Sequence, residues 1–382
     1  MLLASVFSGV VPVYAQTGHQ AHVHAPVLQA SPGLVWLSIE DNMRNLTDAV
    51  KKAEWPAILG YAKSMRDDLS FMQSAGIEGE VKPHEQEQLL NSFAQLAVVL
   101  DELIVVADSS DTVAIETAVN RVAGAVTLTR IDVPPGLLEK ISGATVRAEI
   151  VNTPVLKKDV EETITLRLKN AVSGKPLKST DLEVVHTQIV HALIIDPQLE
   201  DYKHVHPEEI DVPGEYSLVM TPKTDCTYRL WADVTLSEGK QEYALVDIPA
   251  KEGCGSLPID KSEKWDVKTE LFHAVLKAPE GGLKVGGDAT LEVLLTDMEG
   301  NTLQSLEPIM GAYAHMVGFY DDYRTIAHLH PLGAEPVQDT DRGTGALAFH
   351  FQPQQAGFVK FFVQIVVDGQ EHFFPFGVII QE

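Results

Sequence analysis

The stretch HTQIVHALIIDPQLEDYKHVHP, residues 186–207, and its counterpart MGAYAHMVGFYDDYRTIAHLHP, residues 310–331, decide how this chain is read. The first carries His186, His191, His204, His206 and Pro207; the second carries Met310, His315, His328, His330 and Pro331 at the same spacing. On an extended strand His204 and His206 point to one face, being two residues apart. Pro207 biases His206 towards extended backbone. The residues between His191 and His204 read as strand, turn and strand, with the turn near Gln198, and the second copy turns near Asp321 and Asp322. A hairpin folded there sets opposite residues about 4.5–5.5 Å apart, so imidazoles can converge on one ion at about 2.0–2.1 Å each. One condition applies: His191 must pair with His204 or His206, not Val205, because a one-residue slip turns every side chain over. His186 and Met310 lie five residues before the first histidine of each hairpin. That is the wrong parity for the same strand face, so a bulge or loop must carry them in.

Working outward, these stretches sit inside an internal repeat. Asn170–Leu177 aligns with Thr296–Leu303, Leu218–Pro222 with Phe349–Pro353, and Tyr228–Trp231 with Val359–Phe362. Short runs rich in Val, Ile, Leu, Tyr and Phe alternate with turn signals such as Pro213-Gly214, Gly286-Gly287 and Asp368-Gly369. Such spacing predicts tandem antiparallel β-sandwich modules over residues 145–250 and 266–382, joined by a linker at 251–265. Upstream the period changes. Ile39, Met43, Leu46, Val50 and Ala53 recur at helical steps, as do Ile58, Ala62, Met65, Leu69 and Met72. Two further series run Leu89, Phe93, Leu96, Leu100, Leu103 and Ile115, Val119, Val122, Val126. Residues 34–130 are therefore expected to form a four-helix bundle, and the chain to be a multidomain α + β protein. That bundle lacks a Cys-x-x-Cys-His motif and paired Glu-x-x-His motifs, and His84 near a helix start reads as ordinary.

The first 15 residues form an apolar run ending in Val13-Tyr14-Ala15, which reads as a secretory signal peptide lacking its basic start. A tract at 16–33 with His19, His22 and His24 follows, either an auxiliary chelator or a polar tail. No later segment is expected to span a membrane, and a periplasmic or secreted location is expected. The net charge of −25 excludes nucleic acid as a partner. Cys226 and Cys254 read as one structural disulfide in an oxidising compartment.

Imidazole suits copper, zinc, nickel and iron, whereas a thioether favours Cu(I). The donor set makes copper the first expectation and zinc the second, with His186, His191, His204 and His206 as one site and Met310, His315, His328 and His330 as another. The expected function is sequestering copper, or passing it to a periplasmic or membrane transfer protein. Two other readings stay open. The histidines could be structural, tying strand ends to loops in a non-enzymatic interaction protein. Alternatively, a copper redox enzyme would need an open coordination position; no His-Glu-x-x-His, nucleophile elbow or phosphate loop is present. His273, His350 and His372 fall outside the repeated motif. The strings HTQIVHALII…HVHP and YAHMVGFYDD…HLHP resemble modules of exported bacterial proteins of immunoglobulin-like fold, broadly similar to YtkA-like and CopC-like domains. That resemblance covers about residues 145–381 and implies a β-sandwich, a metal-handling role and ligand roles for the eight motif positions. Met310 departs from the usual histidine, which implies unequal sites.

Overall fold

The computed structural model describes residues 32–382, apart from 75–76, 78–80, 135–145, 153–154, 172, 238 and 251–257. The signal peptide and the His19, His22 and His24 tract lie outside the described residues.

Four helices come first: α1 (Pro32–Lys52), α2 (Trp55–Ser74), α3 (Pro83–Ala107) and α4 (Thr112–Asp132). The heptad-like stripes supply one shared core, with Ile39, Leu46, Ile58, Met65, Phe93, Leu100, Val119 and Val122 all buried. Asp111 caps α4 by accepting from the backbone N–H of Val113 at 3.1 Å and Ala114 at 3.0 Å. Pro83 opens α3, where a missing N–H costs nothing. Contrary to the sequence expectation, α3 is long and apolar enough to cross a membrane by length and composition. Its apolarity has a packing reason, since Leu89, Phe93, Leu96, Leu100 and Leu103 fill the helical core.

Many antiparallel strands follow. The first module holds β1 (Val146–Ile150), β2 (Glu162–Asn170), β3 (Val190–Ile195), β4 (Lys203–Val205), β5 (Glu208–Glu209), β6 (Glu215–Met220), β7 (Tyr228–Thr235) and β8 (Gln241–Ile248). They form sheets β1-β2-β6-β5 and β4-β3-β7-β8, whose facing side chains share one core. The second module holds β9 (Asp266–Lys268), β10 (Phe272–Lys277), β11 (Leu283–Lys284), β12 (Ala289–Asp297), β13 (His315–Tyr320), β14 (Ile326–Leu329), β15 (Ala346–Phe351), β16 (Gly357–Val367) and β17 (Gln370–Gln381). Its sheets are β15-β12-β10-β9 and β11-β17-β16-β13-β14, again around one core. One pairing departs from the expected antiparallel plan: β11 runs parallel to β17. The described part of the expected linker is also not free. Lys264 exchanges backbone hydrogen bonds with Gly377, and Trp265 packs on the second core. A Cβ on Gly377 would lie 2.3 Å from the carbonyl oxygen of Ser262, so only glycine lets that segment lie on β17. Cys226 is disulfide-bonded; the chain's other cysteine, Cys254, lies outside the described residues.

The sheets containing β3 and β13 pack on each other, so each is covered on both faces. Along β3, Val190, Ala192 and Ile194 enter the module's own core, whereas Leu193 and Ile195 enter a separate apolar cluster with Trp231, Val317, Phe319 and Phe362. Strand parity thus explains why VHALII is unbroken apolar sequence apart from one histidine. On the intermodule face β7 reads Arg229, Trp231, Asp233 and β16 reads Lys360, Phe362, Gln364, at matching register positions opposite β3 and β13.

At the Arg229 end, the helices join both modules. Asp68 of α2 accepts from Arg324 at 2.8 Å and Arg229 at 3.4 Å, while Arg229 also pairs with Asp247 at 2.7 Å. Burial alone would raise the Asp247 carboxyl, but the Arg229 guanidinium and hydrogen bonds outweigh it and hold it below the usual range. Ser64 of α2 donates to Asp247 as well.

Candidate metal centre

The opposite end of the same interface gathers the histidines. In the first module Leu193 pairs with His204 and Ala192 with Val205. This register brings His191 into line with His206, so His191, His204 and His206 share a face. The second module repeats it, Val317 pairing with His328 and Met316 with Leu329. In each triad one ring nitrogen per residue lies within 4.8 Å of the other two. His191, His204, His315 and His328 are buried; His206 and His330 are half-buried.

The neighbours assign each ring's hydrogen. His191 Nε2 lies 3.0 Å from the carbonyl oxygen of Val185, and His315 Nε2 lies 3.2 Å from that of Ile309. A carbonyl only accepts, so both Nε2 atoms carry hydrogen and both Nδ1 atoms are bare in the neutral ring. His328 Nδ1 donates to the Asp233 carboxylate at 3.0 Å, which leaves its Nε2 bare. His204 Nδ1 lies 3.0 Å from the Gln364 amide oxygen, leaving its Nε2 bare likewise. The bare atoms then face each other, His191 Nδ1 to His204 Nε2 at 3.3 Å and His315 Nδ1 to His328 Nε2 at 3.3 Å. Two lone pairs cannot hydrogen-bond. Two nitrogens bound tetrahedrally to one ion at about 2.0–2.1 Å stand about 3.3–3.4 Å apart, so the spacing suits a shared cation. His206 Nε2 and His330 Nε2 are buried with no hydrogen-bond partner among the described residues.

Burial, reinforced by the neighbouring rings, favours the neutral form of His191, His204, His206, His315 and His330. His191 and His206 are each pushed down to about 4, chiefly by desolvation and then by His328. His204, His315 and His330 lie well below the ordinary value for the same first reason. Neutral rings are what a metal needs as ligands.

The triads are not separate sites. The His204 ring centroid is 5.6 Å from His191 in its own triad, and 5.6 Å from both His315 and His328 in the other. The partners that orient the rings also cross over: Asp233 of the first module holds His328, and Gln364 of the second holds His204. His186, expected in the first cluster, lies instead against the second, its centroid 4.0 Å from His330 and 6.0 Å from His315. The reason is a two-residue turn. Val185 and Gln188 exchange both backbone hydrogen bonds, and His186 and Thr187 between them have φ of 47° and 69°. Ile309 and Ala312 do the same around Met310 and Gly311, at φ 51° and 74°. Positive φ at both central residues is the type I′ signature. The first turn swings His186 towards the facing module, where Gly311 lies beside it, since a Cβ there would be 3.7 Å from His186 Nδ1. Met310 occupies the equivalent place, half-buried.

Asp233 and Gln364 were not among the sequence-predicted residues. Extending the repeat alignment of Trp231 with Phe362 by two positions matches them, each a polar residue within a buried apolar strand. The remaining histidines among the described residues stand apart from the cluster. His273 pairs with Asp266 at 2.8 Å, His350 with Asp288, and His372 packs edge-on against Phe272. His84 is exposed at the start of α3.

The family described as a domain of unknown function, DUF8832, matches this chain twice, over residues 139–252 and 273–382. No curated protein matches it. Among solved structures it is similar to the Escherichia coli adhesin FdeC, at 16% identity and TM-score 0.19, covering 62% of this chain and 64% of that one. It is also similar to a Salmonella alpha-2-macroglobulin mutant, at 11% identity and TM-score 0.20, covering 63% of this chain and 15% of that one. A third is the Yersinia pseudotuberculosis adhesin InvE, at 11% identity and TM-score 0.18, covering 62% of this chain and 59% of that one. The chain thus spans less than two thirds of each of these three, and likenesses this loose carry no argument about function.

Proposed function

This chain belongs to the DUF8832 family, and from that premise we propose that its paired histidine clusters bind metal ions, copper first and zinc second. The observation that carries this reading is the pair of ring nitrogens held at 3.3 Å in each module, a spacing that suits one shared cation. His191, His204 and His206 would hold one ion, and His315, His328 and His330 the other. An all-imidazole donor set suits copper and zinc, and the half-buried Met310 thioether beside the cluster adds a preference for Cu(I). The protein would sequester metal, or hand it to an exported or membrane partner, without turnover. Each module is read as an immunoglobulin-like β-sandwich, its two sheets sharing a core. Export fits the apolar leader and the bonded Cys226, since disulfides persist in oxidising compartments.

Anaerobic titration with Cu(I) against a chromophoric chelator, with Zn(II) in a parallel series, tests the proposal. Two ions per chain are expected, and substituting His191 and His204 together by Ala should remove one of them. Unchanged stoichiometry in that variant would sink the assignment.

A second reading has its own observation in favour. The histidine bonds to Asp233 and Gln364 cross the interface, so the rings also fasten one module to the other in a non-enzymatic interaction protein. Nothing in the comparisons speaks for copper. The titration separates the two, because a purely structural cluster takes up no ion.

A further inference from the structure

The two clusters share a plan and differ at one matched position. Opposite His191 on the neighbouring strand stands Asp233, and opposite His315 stands Gln364. Each reaches across to the other module's buried histidine, so the carboxylate serves the second cluster and the amide serves the first. Gln241 donates to the other Asp233 oxygen at 2.8 Å, which fixes the carboxylate facing His328.

We propose that the clusters load in a fixed order, the His315, His328 and His330 cluster first, because the Asp233 carboxylate of the opposite module stands behind His328 while the neutral Gln364 amide stands behind His204. This rests on the metal-binding reading above. Two physical differences set the order. A carboxylate behind a ligating imidazole makes it a better donor and offsets cation charge, whereas an amide does neither. An amide can also turn over. With its NH2 facing His204 Nδ1, the ring hydrogen would sit on Nε2 and reach the bare Nδ1 of His191, satisfying that pair with no ion. A carboxylate has no hydrogen to give, so with a neutral His328 ring the facing nitrogens of His315 and His328 keep their conflict until a cation enters. The His204 ring lies 5.6 Å from His315 and His328, so whichever ion enters second meets the charge of the first, which keeps the two steps apart.

The order is readable on the unmodified full chain. Histidine ring 15N spectra during Cu(I) titration, and separately during Zn(II) titration, should show His315 and His328 responding in the first equivalent and His191 and His204 in the second. Asp233→Asn, which keeps the side-chain length, should weaken the tighter step about 10–100-fold. Combining it with Gln364→Glu moves the carboxylate to the other cluster and should reverse the order. In that double variant His204→Ala, rather than His328→Ala, should remove the tighter step. Simultaneous loading, first-cluster loading in the wild type, or an order unmoved by the exchange overturns the inference while leaving metal binding intact. Absence of any Cu(I) or Zn(II) binding removes the proposed function and this order together.

Discussion

The interface between the two modules has unlike ends. At one end Arg229 and Arg324 meet Asp68 and Asp247, two cations against two anions, all buried and mutually paired. At the other, seven imidazoles, His186 among them, crowd together with one carboxylate, Asp233, and in the neutral tautomers leave lone pairs facing each other. Between them lies a dry apolar strip of Leu193, Trp231, Phe319 and Phe362. At the charged end each cation has its anion within the chain, and the end serves to hold. The histidine end is incomplete within the chain, and its incompleteness is specific to a cation. A buried polar group without a partner is costly, so a fold that keeps several in one place does so where a ligand repays them.

Breaking the charged end should have the largest effect. Arg229→Ala strands Asp247 without its cation and takes a tie from Asp68; the expected loss is about 3–5 kcal/mol, read as a lower urea midpoint. Emptying the histidine end should cost less stability and more chemistry. His315→Ala with His328→Ala should lower metal stoichiometry by one while the far-ultraviolet circular dichroism stays that of the wild type. The two ends should also part company with pH. His191 and His206 are held near 4 in the folded chain against about 6.5 when exposed. The unfolded chain therefore binds more protons, so the stability they contribute is present above about pH 6.5 and lost as pH falls towards 4. The thermal midpoint and metal retention should fall together through that window; a midpoint flat from pH 7 to 4 would contradict the buried, neutral rings. Smallest of all, Asp111→Ala should remove a cap worth about 0.5–2 kcal/mol from α4 and leave metal stoichiometry unchanged.

Much of this was legible in residues. Helical stripes such as Leu89, Phe93 and Leu96 mark a buried face at any register, and the spacing of His204, His206 and Pro207 fixes parity on a strand. The union of the two clusters was not legible, because a repeat describes one module and not what its outer face meets. The available hint was VHALII, whose apolar residues fill both parities where a strand exposed on one side would alternate. His186 was misplaced because its turn lacks glycine at both central positions, so nothing announced positive φ. Asp233 and Gln364 act through the facing module, a relation between positions far apart in the chain that spacing cannot carry.

The two type I′ turns have a further consequence. A side chain in left-handed backbone is strained by about 1–3 kcal/mol, a strain that glycine escapes. Histidine and methionine nonetheless occupy these places, at positions 186 and 310. Replacing either with glycine therefore relaxes the main chain while deleting the side chain. Whatever such a variant loses in metal affinity belongs to the ring or thioether itself, free of the folding damage that clouds most ligand deletions.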